Sequence, residues 1–143
     1  FSFVLDINLT AVLSCTNAAK EGLANAKGAV VNLASMWSFF GSPKSPAYAS
    51  SKAGIVALTR SMATAWAKEG IRVNAVAPGW VNTRMASNAM NNPERSRKIM
   101  ERIPMGAWAE PADVADVIRF LVSDDSRYVT GVLLPVDGGY SIG

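Results

Sequence analysis

The sequence predicts an α/β fold built around a parallel β-sheet. Three short apolar runs, 29–33, 71–77 and 132–136, alternate with longer segments whose composition suits helices. Strands that alternate with helices imply parallel pairing through right-handed crossovers. Half of the residues are hydrophobic, which argues against disorder. No apolar run approaches the ~18 residues that a membrane span needs, so no membrane partner is expected.

The first predicted helix leads directly into the first strand. Residues from about Asp6 to Ala26 are compatible with a helix that ends near Lys27-Gly28. The short apolar run Ala29–Leu33 follows at once. Such runs are typical of strands that are buried on both faces of a parallel sheet.

The second predicted helix has a clear signal at each end. Ser45 is a good N-cap, Pro46 suits the first helical position, and Gly70 suits the C-terminal stop. The residues between them are mostly small, which predicts close packing on more than one side of the helix. They include Ala47, Ala49, Ser50, Ser51, Ala53, Gly54, Ala57, Ser61, Ala63, Ala65 and Ala67.

The remaining elements complete the alternation. The second strand, 71–77, ends at Pro78-Gly79, and the polar stretch from Thr83 to Pro104 is predicted to be a mobile lid with some helix. A further helix starts at Pro111, and the third strand, 132–136, follows it. The apolar residues of that helix fall on one face at helical spacing. They are Val114, Val117, Ile118, Leu121 and Val122.

Missing residue types narrow the possible chemistry. The chain has no histidine and a single cysteine, Cys15, which we expect to be a buried apolar residue. Ser-His-Asp triads, His-ligated metals, intramolecular disulfides and multi-cysteine metal sites are therefore excluded. A general acid or base must be Tyr, Lys, Asp or Glu. The 14 basic and 11 acidic residues are interspersed, so no nucleic-acid partner is predicted.

Candidate site residues follow two of the predicted strands. Tyr48 and Lys52 are four residues apart on the second helix, so they share a face, and an ammonium beside a phenol stabilises the phenolate. Ser35 comes directly after the first strand, and Pro78-Gly79 follows the second. Ligands bind at the carboxyl ends of parallel strands, so these residues are expected at one sheet edge.

These residues resemble the signature of the short-chain dehydrogenase/reductase family. The likeness is strongest to 3-oxoacyl-carrier-protein reductases and to bacterial sugar and polyol dehydrogenases. It departs from the family pattern at Asp6, where the family has Asn. The matching segments are Asp6-Ile7-Asn8-Leu9, Ser35, Tyr48, Lys52, Pro78-Gly79-Trp80-Val81-Asn82-Thr83, Ile103-Pro104-Met105-Gly106, Glu110-Pro111-Ala112-Asp113-Val114-Ala115 and Val136-Asp137-Gly138-Gly139.

The resemblance implies a catalytic role for four residues. Tyr48 would donate or accept the proton at the substrate oxygen, and Lys52 would make Tyr48 more acidic. Ser35 would hold the substrate oxygen, and Asn8 would hold a water in a proton relay behind Lys52. The implied activity is an NAD(P)-dependent oxidoreductase that interconverts a secondary alcohol and a ketone, with a 3-oxoacyl thioester or a sugar or polyol as substrate.

The resemblance also implies a cofactor, NAD or NADP, and a small-molecule substrate. The backbone near Val81 and the hydroxyl of Thr83 would fix the nicotinamide carboxamide. Independently of the resemblance, Trp37 and Trp80 flank the predicted site and are expected either to form an apolar substrate wall beside Ser35 or to pack in the core. A cytoplasmic homo-oligomer, tetramer or dimer, is expected. The predicted cofactor residues are Tyr48, Lys52, Pro78, Gly79, Val81 and Thr83.

The family's Gly-rich phosphate loop has no match in this chain. None of its eleven glycines forms the loop pattern. We therefore expect residues 1–143 to be the C-terminal half of a Rossmann-like, doubly wound parallel sheet, with about 100 residues before it. A non-catalytic half or assembly module is the alternative. A sugar-nucleotide epimerase or dehydratase is disfavoured because only a short tail follows Pro104.

Overall fold

The computed structural model describes residues 1–143 and has the predicted α/β architecture. Strands β1 (Ala29–Leu33), β2 (Arg72–Pro78) and β3 (Leu133–Val136) form one sheet in the order β1-β2-β3. Both pairings are parallel, with Leu33 opposite Val76 and Pro78 opposite Val136. The carboxyl ends of all three strands therefore meet at one edge, as the alternating pattern predicts.

The chain is helical from Ser2 to Ala26, which is longer than predicted. Helix α1 (Ser2–Leu5) continues through a π-helical segment, Asp6–Thr10, into helix α2 (Ala11–Ala26). Lys27 ends this helix in the left-handed conformation, with a φ of 48°. Cys15 is exposed on α2, so the prediction that it is buried is wrong.

Helix α3 (Pro46–Trp66) begins and ends near its predicted signals. Pro46 occupies the first turn after Ser45, although the Ser45 side chain makes no capping hydrogen bond. A 3₁₀ turn, Ala67–Glu69, extends the helix to Gly70, whose φ of 82° suits glycine. Ile55, Met62 and Trp66 are among the buried residues of α3.

Hydrogen bonds between residues far apart in sequence connect β2 to the segment that precedes β3. The Arg72 guanidinium donates to the carbonyl oxygens of Leu121, Ser123 and Val129 and to Ser126 Oγ. These acceptors satisfy a cation that no carboxylate neutralises. The contacts tie the start of β2 to the chain between α6 (Pro111–Val122) and β3.

One residue of helix α6 departs from its predicted apolar face. Val114 and Leu121 are buried, and Val117 and Ile118 pack against the same cluster. Val122 is 49% exposed, so its assignment to that face is wrong. It is the last residue of the helix, where the chain turns away into a 3₁₀ turn.

The stretch from Thr83 to Pro104, which the sequence predicts to be a lid with some helix, is mostly helical. A 3₁₀ turn (Arg84–Ala86) is followed by α4 (Ser87–Met90) and α5 (Pro93–Arg102). Ile99 and Ile103 anchor this segment in a core cluster with Met36 and Tyr140. Its mobility stays a prediction. In the whole chain, no helix combines the length and apolar character that crossing a membrane requires.

Candidate active site

The loop after β1 is held by a reciprocal pair of serines. Ser35 Oγ accepts the backbone N–H of Trp37 at 3.2 Å, and Ser38 Oγ accepts the backbone N–H of Ser35 at 3.3 Å. The Ser38 hydroxyl in turn donates to the carbonyl of Lys52 at 2.8 Å. This chain of contacts sets Ser35 at the end of β1 beside the first turns of α3. The hydroxyl hydrogen of Ser35 stays free to donate to a bound oxygen.

Tyr48 and Lys52 lie on the same side of α3, as their spacing predicts. The Lys52 ammonium nitrogen is 5.7 Å from the centroid of the Tyr48 ring. It donates to the carbonyl oxygen of Leu33, the last residue of β1, at 2.7 Å. The Tyr48 hydroxyl makes no hydrogen bond within the chain, so it is free to bind another oxygen atom.

Lys52 is partly buried and has few hydrogen-bond partners within the chain. Burial lowers the pKa of the Lys52 ammonium from its ordinary value of 10.5, because desolvation disfavours the charged form. No carboxylate lies within 4.0 Å of it. An ammonium has three donors, and only one reaches a protein acceptor here, so the other two can hold hydroxyl groups of a ligand.

Asn8 reaches the site from the π-helical segment. Its amide nitrogen donates to Ser51 Oγ at 3.2 Å, and the Ser51 hydroxyl donates to the Tyr48 carbonyl at 2.7 Å. Asn8 therefore contacts α3 behind Tyr48. The predicted water between Asn8 and Lys52 stays a prediction.

Gly79, directly after β2, lies very close to the residue that follows β3. A Cβ atom at this position would be 2.7 Å from both Cα and Cβ of Asp137, which follows β3. The N–H of Gly79 donates to the carbonyl of Val136 at 3.0 Å. Packing against β3 is thus a sufficient reason for glycine after Pro78, apart from any cofactor role.

Val81 presents an unusual backbone arrangement. It forms an isolated parallel bridge with Ala109 that uses the carbonyl of Trp80 and the N–H of Asn82. The N–H and C=O of Val81 itself are therefore outside the bridge, and only the Thr83 hydroxyl reaches its carbonyl, at 3.4 Å. A neighbouring donor and acceptor of this kind match a carboxamide, which suits the nicotinamide end of a dinucleotide.

The two predicted substrate tryptophans have different surroundings. Trp37 lines a cavity of about 360 Å³, together with Phe39, Phe40 and residues of α3. Trp80 instead packs edge-on against Trp108, with ring centroids 5.5 Å apart, and its indole nitrogen is buried without an acceptor. The structure thus brings Trp37 to a cavity beside α3 and sets Trp80 in an aromatic cluster near α5.

Sequence reasoning missed the serines that position the site. Ser38 orients the Ser35 loop against α3, and Ser51 links Asn8 to α3. The three-residue spacing of Ser35 and Ser38 is a signal for a capping turn and could have predicted the contact between these two serines, although not the contact of Ser38 with α3. Ser51 joins residues 43 positions apart, which no local pattern predicts.

Known proteins resemble this chain over almost its whole length. The family profile described as enoyl-(acyl carrier protein) reductase matches residues 1–141. The 2-dehydro-3-deoxy-D-gluconate 5-dehydrogenase of Escherichia coli (strain K12) is 41% identical over 96% of this chain and 55% of that protein. The 3-oxoacyl-[acyl-carrier-protein] reductase of Thermotoga maritima is 40% identical over 97% of this chain and 56% of that protein.

Similarity extends to solved structures. The crystal structure of a gluconate 5-dehydrogenase from Burkholderia cenocepacia J2315, in complex with NADP and tartrate, has a TM-score of 0.90 and 28% identity to this chain. The similarity covers 95% of this chain and 54% of that one. The chain thus spans about half the length of the relatives it matches.

Proposed function

Because the chain belongs to the short-chain dehydrogenase/reductase family, we propose that it supplies the catalytic half of an NAD(P)-dependent oxidoreductase. The reaction is the interconversion of a secondary alcohol and a ketone. The observation that carries the proposal is the meeting of Ser35, Tyr48 and Lys52 at the carboxyl edge of β1.

Tyr48 transfers the proton in this proposal. Its hydroxyl has no partner within the chain, so it can bind the substrate oxygen and exchange a proton with it. Lys52 is held near the Tyr48 ring by its hydrogen bond to the Leu33 carbonyl. Its positive charge stabilises the phenolate that forms when Tyr48 gives up its proton.

Ser35 and Asn8 support this proton transfer. The Ser35 hydroxyl donates a second hydrogen bond to the substrate oxygen, because its own oxygen is already fixed by the N–H of Trp37. Asn8 holds α3 through Ser51 and binds the relay water on its free amide oxygen. The proton thereby reaches Tyr48 without a histidine.

Residues at the ends of β1 and β2 would hold the nicotinamide half of the cofactor. The two free donors of Lys52 and the Tyr48 hydroxyl suit the ribose hydroxyls, and Val81 and Thr83 suit the carboxamide. Pro78 and Gly79 shape the turn beneath them. The bound cofactor would supply or accept the hydride. None of these residues distinguishes NAD from NADP.

The substrate site is proposed next to Ser35. Trp37 forms an apolar wall of the cavity beside α3. Trp80 follows the end of β2 and packs against the cluster that contains Met36. The names of the relatives leave two substrate classes, sugar acids and 3-oxoacyl thioesters. We propose a small-molecule substrate from one of these classes.

We also propose a cytoplasmic homo-oligomer. The exposed side of α3 carries small residues, Ala53, Ala57 and Ser61, which permit a close helix–helix contact. Phe3 and Ile7 are exposed on the neighbouring helical segment, at 72% and 53%. This surface supports a dimer or tetramer.

A non-catalytic role for the 143-residue chain alone is a second candidate. It is favoured by one observation, that none of the glycines forms a phosphate-binding loop. Titration of the longest natural polypeptide that contains the chain with NADH and NADPH separates the two candidates, because a non-catalytic protein without that loop should show no measurable affinity.

Replacement of Tyr48 by Phe tests the proposed activity. In the longest natural polypeptide that contains these residues, Tyr48→Phe should lower kcat by about 10²–10⁴-fold, since proton transfer is lost. The melting temperature should stay unchanged. Tyr128→Phe is the matched control, because the Tyr128 side chain is fully exposed. Turnover within twofold of the wild type in Tyr48→Phe would refute the assignment.

A further inference from the structure

Helix α5 has two faces whose charges are arranged differently. On its outer face Glu94 pairs with Lys98 at 2.7 Å, and Arg97 pairs with Glu101 in a second salt bridge of 2.6 Å. Every basic residue of that face is thus neutralised by a glutamate one turn away. These pairs leave no glutamate of α5 for the helix's other arginines.

The inner face of α5 carries two arginines without a carboxylate. Arg95, Ile99 and Arg102 follow each other at helical spacing, and Ile99 is buried in the cluster beneath α5. The Arg95 guanidinium carbon is 5.9 Å from the Trp80 ring centroid. No carboxylate lies within 4.0 Å of either arginine.

The two arginines differ in how firmly the protein holds them. Arg102 lies 4.3 Å from the Tyr140 ring centroid and also donates to the Tyr140 hydroxyl at 3.4 Å. Arg95 makes no side-chain hydrogen bond, although its guanidinium has five donors. Arg95 is therefore the cation of this face that is free to bind a ligand.

The Trp80 ring beside Arg95 also carries an unpaired donor. The indole N–H of Trp80 is the one buried side-chain polar group in the chain without a hydrogen-bond partner. Leaving such a donor unpaired is unfavourable. The N–H is covered in this structure, so an acceptor reaches it only when a neighbouring side chain shifts. The accessible donors beside the Trp80 ring are therefore those of Arg95.

This pair lies next to the candidate active site. Trp80 directly follows Gly79 at the end of β2, and it packs against the cluster that contains Met36. Met36 is the residue after Ser35. Arg95 thus lies beside the residue that follows β2 and Gly79, close in the fold to the loop that carries Ser35.

We propose that Arg95, stacked on Trp80, binds the carboxylate of an acidic substrate and so selects small hydroxy or oxo acids over neutral alcohols. The proposal rests on the proposed function and names its substrate class. A planar guanidinium with free donors binds a carboxylate through two parallel hydrogen bonds.

The test compares acids with neutral counterparts in the longest natural polypeptide that contains this chain. D-gluconate and 3-hydroxybutyrate are assayed beside D-glucitol and 2-butanol, which lack the carboxylate. Arg95→Gln should raise KM for an accepted acid about tenfold to a hundredfold, the range for a lost charge-assisted hydrogen bond. The kcat for the acid and the KM for an accepted neutral alcohol should change less than twofold.

Arg97→Gln is the matched control, because Arg97 is on the outer face of the same helix. It should leave every constant within twofold of the wild type. Equal losses for acid and neutral alcohol in Arg95→Gln would overturn the proposal, because they would indicate a structural role. Failure of the wild type to bind either acid would also overturn it.

Calorimetric titration of the same acids separates this proposal from the proposed function. Binding of an acid that is weakened by Arg95→Gln and not by Arg97→Gln supports the carboxylate site even if no hydride transfer is found. Conversely, the Tyr48→Phe variant could lose turnover while the Arg95→Gln variant binds the acid as tightly as the wild type. That result would refute the carboxylate site and leave the proposed function standing.

Discussion

Strands β2 and β1 differ in how completely this chain covers them. In β2, which has a strand on each side, Val73, Ala75, Val76 and Ala77 have no exposed surface. Strand β1 pairs with β2 alone, and its last residue, Leu33, is 53% exposed. The two strands have similarly apolar sequences, so the difference comes from their neighbours.

The comparison teaches that stability and chemistry are separated in this molecule. Strand β2 supplies the fully buried core residues, and its first residue, Arg72, holds the chain around the end of α6 by long-range hydrogen bonds. Strand β1 leads into Ser35, and the carbonyl of its last residue, Leu33, accepts the Lys52 hydrogen bond. The candidate active site therefore depends on an edge strand that the chain covers less completely than β2.

The largest expected effect concerns the unpaired edge of β1. The 143-residue polypeptide alone should self-associate or melt without a single cooperative transition, because the free edge of β1 offers unpaired backbone groups to other chains. The longest natural polypeptide that contains it should form a discrete dimer or tetramer. Size-exclusion chromatography with light scattering, together with calorimetry, measures both. A 15.2 kDa monomer that melts cooperatively would contradict the expectation.

A glycine pair gives the next largest effect and compares a closely packed position with an open one. Gly79→Ala should lower the free energy of unfolding by about 1–3 kcal/mol, because its Cβ would overlap the Asp137 backbone at 2.7 Å. Gly22→Ala, in exposed helix α2, meets nothing within 4 Å and should raise it by about 0.5–1 kcal/mol. Urea unfolding of both variants measures the difference. If both variants raised the free energy of unfolding, the result would show that Gly79 is not constrained by β3.

The smallest expected effect is the pH dependence due to Lys52. Its pKa is lowered in the folded protein, so the unfolded chain binds more protons between that lowered value and 10.5. Stability should therefore rise with pH across this window, as the desolvation cost of the ammonium disappears. Lys52→Met should remove this part of the rise. Melting curves of both proteins from pH 7 to 10.5 test it, and parallel curves would show that Lys52 does not contribute.

Local sequence patterns were sufficient to predict the elements and much of the candidate site. The strand runs, the Ser45–Pro46 start of α3 and the four-residue spacing of Tyr48 and Lys52 all depend on neighbours within one or two turns. The predictions for Cys15 and Val122 were wrong, because burial depends on which other element covers a residue.

Contacts between distant residues were not predictable in this way. Asn8 reaches Ser51 across 43 positions, and Arg72 reaches Leu121 across 49. The unpaired inner face of α5 was also missed, because its arginines look like those of the outer face in sequence. The packing of Ile99 beneath the helix and the Arg95 contact with Trp80 show which face is the inner one.

The sequence by itself determined the α/β alternation, the absence of histidine chemistry and the placement of Ser35, Tyr48 and Lys52 after one strand and on one helix face. These follow from backbone periodicity and residue chemistry, which act locally. The tertiary structure alone decided which carbonyl holds Lys52, why Gly79 is glycine, and which arginine is left without a partner. Those outcomes depend on side chains that are brought together by packing, and their energies arise only when the chain is folded.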